Sequence, residues 1–110
     1  MEAPGPVLVV LVTGPDEDVL LELGRTLVEE RLAACVNVTG GVRSAFRWEG
    51  RIEEADEALA LLKTTAGRLD ALTARVRELH PYEEPEVLAL PSAGGSAGYA
   101  DWVRGAVADE

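Results

Sequence analysis

Cysteine is nearly absent from this chain. Cys35 stands alone, which excludes an intrachain disulfide and any metal cage built of cysteines within one chain. A site assembled across identical subunits stays open. Histidine is as scarce, with His80 the one imidazole, and aromatic residues make up only 5% of the sequence. The few large rings, Trp48, Trp102, Tyr82 and Tyr99, each carry a polar handle suited to an interface. Positive charge is short as well: 10 Lys and Arg face 20 Asp and Glu, a net charge of −10. Such a field repels phosphate backbones and anionic lipid headgroups, so neither nucleic acid nor a membrane is expected as a partner. Long apolar runs are missing too. The stretch from Val7 to Val12 falls far below the about 20 residues that a spanning helix needs. The opening MEAPGP lacks the basic flank and apolar core of a secretory signal, so the cytoplasm is the expected compartment.

What remains is an ordinary globular composition, 47% hydrophobic and 27% charged. At 110 residues the chain is too short for two cores, so residues 1–110 read as one domain, with residues 1–6 as a flexible N-terminal segment. Val7 to Thr13 is almost unbroken aliphatic, the pattern of a strand buried on both faces. Gly14-Pro15-Asp16 turns the chain, and Val19, Leu20, Leu23, Leu27 and Val28 mark one face of a helix running to about Leu32. Residues 33–39 read as a strand, Gly40-Gly41 as a bulge, and 42–48 as its continuation. Glu49-Gly50 reads as a hairpin turn, and the return strand runs from Arg51 to about Thr64, forming a ribbon whose outer half projects past the core. Phe46, Trp48 and Ile52 on that arm need cover, most simply from another subunit. Thr65 is placed to cap a second helix with Leu69, Leu72, Val76 and Leu79 on one face, ended by Pro81. A short strand, Val87 to Leu90, and a last helix, Tyr99 to Ala108, complete the order β-α-β-β-α-β plus a C-terminal helix. This is an α+β, ferredoxin-like split βαβ arrangement, with both helices on one side of an antiparallel sheet. The other side then needs either a second copy or the C-terminal helix, and oligomerisation is the expectation.

The residues able to carry chemistry cluster in LHPYEEPE, residues 79–86. Pro81 and Pro85 push His80 and Glu84 toward extended geometry, so His80, Tyr82, Glu84 and Glu86 share one alternation. One imidazole and one or two carboxylates form an incomplete set for zinc or copper, so a metal role competes with a stiff turn whose His80 bonds the backbone. Cys35 reads as a buried thiol among small neighbours, and activating it would need His80 or Lys63 nearby. Lys63 closes an apolar strand, where a charge is either paired or functional.

Taken together, LVTGPDE, LVEERLAACVNV, SAFRWEG, ALALLKTT, LHPYEEPEVLALP and YADWV closely resemble the CutA family, the divalent-cation-tolerance proteins, from about Val7 to Val103. The resemblance implies a tight homotrimer of ferredoxin-like protomers, similar in architecture to the PII nitrogen-signalling proteins, with the hairpin embracing a neighbour. It implies divalent metal binding, copper or zinc, and no settled enzymatic activity; in animal members a role in anchoring acetylcholinesterase has been proposed. The family's copper site uses a cysteine in the first strand and a His-His pair before Pro-Tyr. Here those positions hold Val12, Leu79 and His80, so His80 is the only metal ligand that carries over. The resemblance also implies an intersubunit pocket lined by Cys35, Trp48, Lys63, His80, Tyr82, Glu86, Tyr99 and Trp102. Three functions follow as expectations: a trimeric metal-binding protein of cation homeostasis, a PII-like small-ligand sensor or scaffold, and a thiol enzyme using Cys35 and His80.

Overall fold

The computed structural model describes residues 5–108. Four strands and three helices follow in the order β1 Val7–Gly14, α1 Glu17–Glu29, β2 Cys35–Trp48, β3 Arg51–Thr65, α2 Leu69–Leu79, β4 Leu88–Pro91 and α3 Ala97–Ala106. Every strand pair is antiparallel, and the sheet order is β2-β3-β1-β4.

Apolar alternation along β1 and β3 builds the core. Val10, Val12, Ala58, Ala60 and Leu62 point to one face, where α1 lays Leu20, Leu23 and Leu27 and α2 lays Leu72 and Val76. Asp16 starts α1 by accepting the Val19 N–H at 2.9 Å. That helix ends at Glu29, earlier than the expected Leu32, because Arg31 adopts a left-handed backbone (φ 61°). The Leu32 N–H then returns to the Leu27 carbonyl at 2.9 Å, closing the helix and dropping Leu32 onto the core.

Within one protomer β1 is fully buried along one face and, on the other, only at Val7. Val10 and Val12 are fully buried, whereas Val9, Leu11 and Thr13 are half-buried. Two helices cover one side of the sheet, and α3 covers only an end of the other, where Val103 and Val107 pack on Val7 and Ala34. The uncovered remainder carries Leu90 and Leu88 of β4, Val9 and Leu11 of β1, and Leu61 and Leu59 of β3 side by side by register. Leu88 is 54% exposed and Leu90 45%, which a monomer in water has no reason to tolerate as one patch.

The ribbon forms as expected. The β2–β3 register shifts between Thr39 and Val42, where Gly41 takes φ 73°, and pairing resumes out to Trp48↔Arg51. Glu49 and Gly50 both have positive φ (49° and 78°), the geometry whose twist suits a two-residue hairpin. The arm stretches the molecule to 47 × 26 × 23 Å and leaves Phe46, Trp48 and Ile52 exposed.

Two expected details change. Thr65 does not cap α2: a single 3-10 turn, Ala66–Arg68, intervenes, and the fully buried Thr65 hydroxyl makes no hydrogen bond among the described residues. The last helix begins two residues before Tyr99 because Ser96 accepts the Tyr99 N–H at 3.3 Å. Of the segment read as a flexible N-terminus, residues 1–4 lie outside the described residues. Gly5 and Pro6 are tied down, their carbonyls accepting from Arg104 Nε at 3.3 Å and from the Ala66 N–H at 3.2 Å.

Candidate functional site

Of the eight residues expected to line one pocket, seven fall into two groups within the chain and His80 stands apart. At the covered end of the open sheet face, Cys35 and Lys63 are cross-strand partners. Tyr99 reaches down from α3 to place its Oη 3.6 Å from Cys35 Sγ, and its ring lies 5.6 Å from that of Trp102. Lys63 Nζ donates to Asn37 Oδ1, its neighbour on the same face. The bond to Cys35, with some burial, holds the Tyr99 phenol above its ordinary pKa.

The second group lies at the root of the ribbon. An open cleft of about 910 Å³ runs between the arm and the 82–86 loop, with Arg43, Phe46, Trp48, Glu57, Tyr82 and Glu86 among its walls. Trp48, Tyr82 and Glu86 are therefore brought together. Cys35, Lys63, Tyr99 and Trp102 are not among the cleft's walls. Lys63 pairs with Val9 and the cleft wall begins at Thr13, four residues along β1 and hence about 13 Å away at strand rise.

His80 stands behind the cleft, only 6% exposed. Helix α2 ends there, and His80 turns to extended backbone (ψ 139°) as the following proline demands. Its Nε2 lies 2.7 Å from the Thr13 carbonyl, and its Nδ1 accepts the Tyr82 N–H at 3.0 Å. The Tyr82 ring packs 4.7 Å from the imidazole, and its Oη donates to Glu57 Oε2 at 2.6 Å. Arg77 binds Glu84 at 3.1 Å and fastens the same loop to α2.

This arrangement bears on two expectations. His80 does not fit the thiol enzyme as its base, since both its nitrogens are engaged with Thr13 and Tyr82, while Lys63, the other candidate, stands opposite Cys35 and donates to Asn37. The metal ligand set does not fit either. Val12 is fully buried beneath the helices, Leu79 is apolar and 37% exposed, and no cluster of three His, Cys, Asp or Glu among the described residues is arranged to hold a metal. Sequence reasoning missed Glu57 and Thr13. Glu57 sits in a run of acidic residues where nothing distinguishes it until Tyr82 arrives, and Thr13 contributes only its backbone.

Burial, then the Glu57 carboxylate beside it, push the Tyr82 phenol from 10.0 up to about 12. A raised folded-state value means that the unfolded chain releases this proton first. The stability tied to Tyr82 is thus complete below pH 10 and is lost as pH climbs to about 12. Denaturant melts across that window should show a shallower decline in Tyr82→Phe than in wild type, with Tyr99 leaving a residual slope. Identical slopes would remove Tyr82 as the titrating group.

Comparison with known proteins completes the picture. The family model described as "CutA1 divalent ion tolerance protein" matches residues 8–106. A protein named "Divalent-cation tolerance protein CutA" from Thermus thermophilus is 50% identical over 87% of this chain and 93% of its own. The human "Protein CutA" is 48% identical over 92% of this chain, which spans 56% of that longer protein. A relative named "Protein CutA, chloroplastic", from Arabidopsis thaliana, is 41% identical over 90% of this chain and 54% of its own. The solved structure of the Thermus thermophilus divalent cation tolerance protein superposes with a TM-score of 0.90 at 47% identity, over 93% of this chain and 99% of that one. With the family model reaching from β1 through α3, this chain belongs to the CutA1 divalent ion tolerance family.

Proposed function

We propose that the protein serves divalent-cation tolerance in the cytoplasm as a non-enzymatic homotrimer. Copies cover one another's open sheet faces in a ferredoxin-like, split βαβ protomer, and the ribbon of each reaches over a neighbour. The observation that carries this reading is the aliphatic patch of Val9, Leu11, Leu59, Leu61, Leu88 and Leu90, since apolar surface of that extent is stabilised by removal from water. The working site is the cleft, where one copy's Trp48, Tyr82 and Glu86 meet a neighbour's Cys35, Lys63, Tyr99 and Trp102. The ligand is a divalent ion such as copper or zinc, drawn by the net charge of −10 and met by carboxylate oxygens such as Glu86.

Light scattering should give three times the chain mass of 11.7 kDa, and a monomer at micromolar concentration would end the reading. Calorimetry with copper and with zinc then tests the ligand, and no heat at millimolar metal excludes it. One observation favours a PII-like small-ligand sensor: Lys63 places a cation on the open face of an acidic protein, beside Asn37 and Cys35. Thermal shift against a panel of nucleotides and metabolites separates the two, because a ligand that binds only the folded form raises the melting temperature.

A further inference from the structure

The two bonds of the His80 ring admit only one of its three protonation states. A carbonyl oxygen has no proton to give, so Nε2, 2.7 Å from the Thr13 oxygen, must carry the hydrogen. The Tyr82 N–H has no lone pair, so Nδ1, 3.0 Å away, must be bare. The ring is the neutral Nε2–H tautomer, buried, with its single lone pair already occupied.

A metal ion needs a free lone pair on a neutral imidazole. Taking Nδ1 would strip the Tyr82 N–H of its acceptor beside a ring only 6% exposed, and taking Nε2 would expel the proton held by Thr13. The same two bonds do something else for the cleft. They join the end of β1 to the loop, and the loop's Tyr82 then reaches Glu57 on the ribbon through its Oη at 2.6 Å. Three separate segments, β1, the 80–86 loop and β3, are thereby held in one register around the cleft mouth.

We propose that His80 is a positioning residue of this chain, a neutral Nε2–H clamp that seats Tyr82 against Glu57, and that copper does not take it as a ligand. The inference rests on contacts within one protomer and is independent of the assembly and of which ligand fills the cleft. A metal bound elsewhere in the cleft leaves it intact, and failure of the trimer leaves it untouched.

Nitrogen-15 correlation spectra of the imidazole at neutral pH are the direct test. A pure Nε2–H tautomer is expected, and an Nδ1–H or averaged ring overturns the clamp. In His80→Ala the Tyr82 amide should exchange with solvent about tenfold faster, the factor that one net hydrogen bond represents. His80→Asn, whose side-chain oxygen falls near the Nδ1 position, should recover most of that protection. Loss of Tyr82 from Glu57 should also let its phenol ionise at lower pH in His80→Ala, read by ultraviolet titration. Should the alanine variant fold poorly, the wild-type spectra decide alone. Zinc, which is diamagnetic, added to wild type should leave both His80 ring nitrogen shifts where they are, and His80→Asn should keep the wild-type copper affinity. A zinc-induced shift of either ring nitrogen to a metal-bound value, or at least tenfold weaker copper affinity in His80→Asn, overturns the second half of the proposal.

Discussion

Leu61→Asp is expected to abolish the proposed trimer. Leu61 lies at the centre of the open sheet face, paired with Leu11 on one side and Asn37 on the other. Its side chain faces away from the core that α1 and α2 cover, because its neighbours Ala60 and Leu62 are the buried ones. An aspartate there leaves the fold's own packing alone and places an unpaired carboxylate in each copy's share of the contact. An uncompensated buried charge costs about 3–5 kcal/mol, and a symmetric assembly meets that cost once per subunit. Light scattering at micromolar concentration should therefore move from three chains to one, with far-ultraviolet circular dichroism retained. A variant that keeps the trimer mass would show that this face is not where copies meet.

Gly24→Ala is expected to destabilise the protein, against the rule for helix interiors. In a helix, alanine is favoured over glycine by about 1 kcal/mol. Gly24, however, is buried where α1 crosses β2, and a Cβ built on it meets both Val36 methyl groups at 2.6 Å and the Val36 Cβ at 2.7 Å. Val36 cannot yield easily, since its strand is paired through Leu62 and its χ1 is stiff. Overpacking of this kind costs typically about 1–3 kcal/mol, so once the helix preference is set against it the net loss should reach up to about 2 kcal/mol by denaturant melting. Val36→Ala in the same background should recover much of that loss, and the double-mutant cycle isolates the pair. A rise in stability for Gly24→Ala alone would mean that helix and strand are not held this close.

The two variants mark how far a linear reading reaches. Periodicity in α1 and α2 named Leu20, Leu23, Leu27, Leu72 and Val76, which are buried in the core, but also Val28 and Leu79 at the helix ends, which are exposed. The paired glycines announced the irregularity between Thr39 and Val42, and Glu49-Gly50 announced the turn. These features are local, encoded within a few residues, so local chemistry suffices. Family motifs add the kinship itself, which the comparisons bear out.

Partnerships between distant segments escape such a reading. Nothing near Glu57 says that Tyr82, 25 positions away, will bind it, and nothing near Thr13 says that His80, 67 positions away, will. The grouping of Cys35 with Lys63 and Tyr99 at one end, and of Trp48 with Tyr82 and Glu86 at the other, depends on strand register and on where α3 lands.

Residue order alone was therefore enough for the elements, the ribbon, the apolar stripes and the absence of a second histidine at Leu79. Only the folded chain decided what His80 does. A ring with two nitrogens is equally suited to a metal and to a turn, and the choice depends on which groups lie within 3 Å. Here a carbonyl from β1 and an amide from its own loop arrived first.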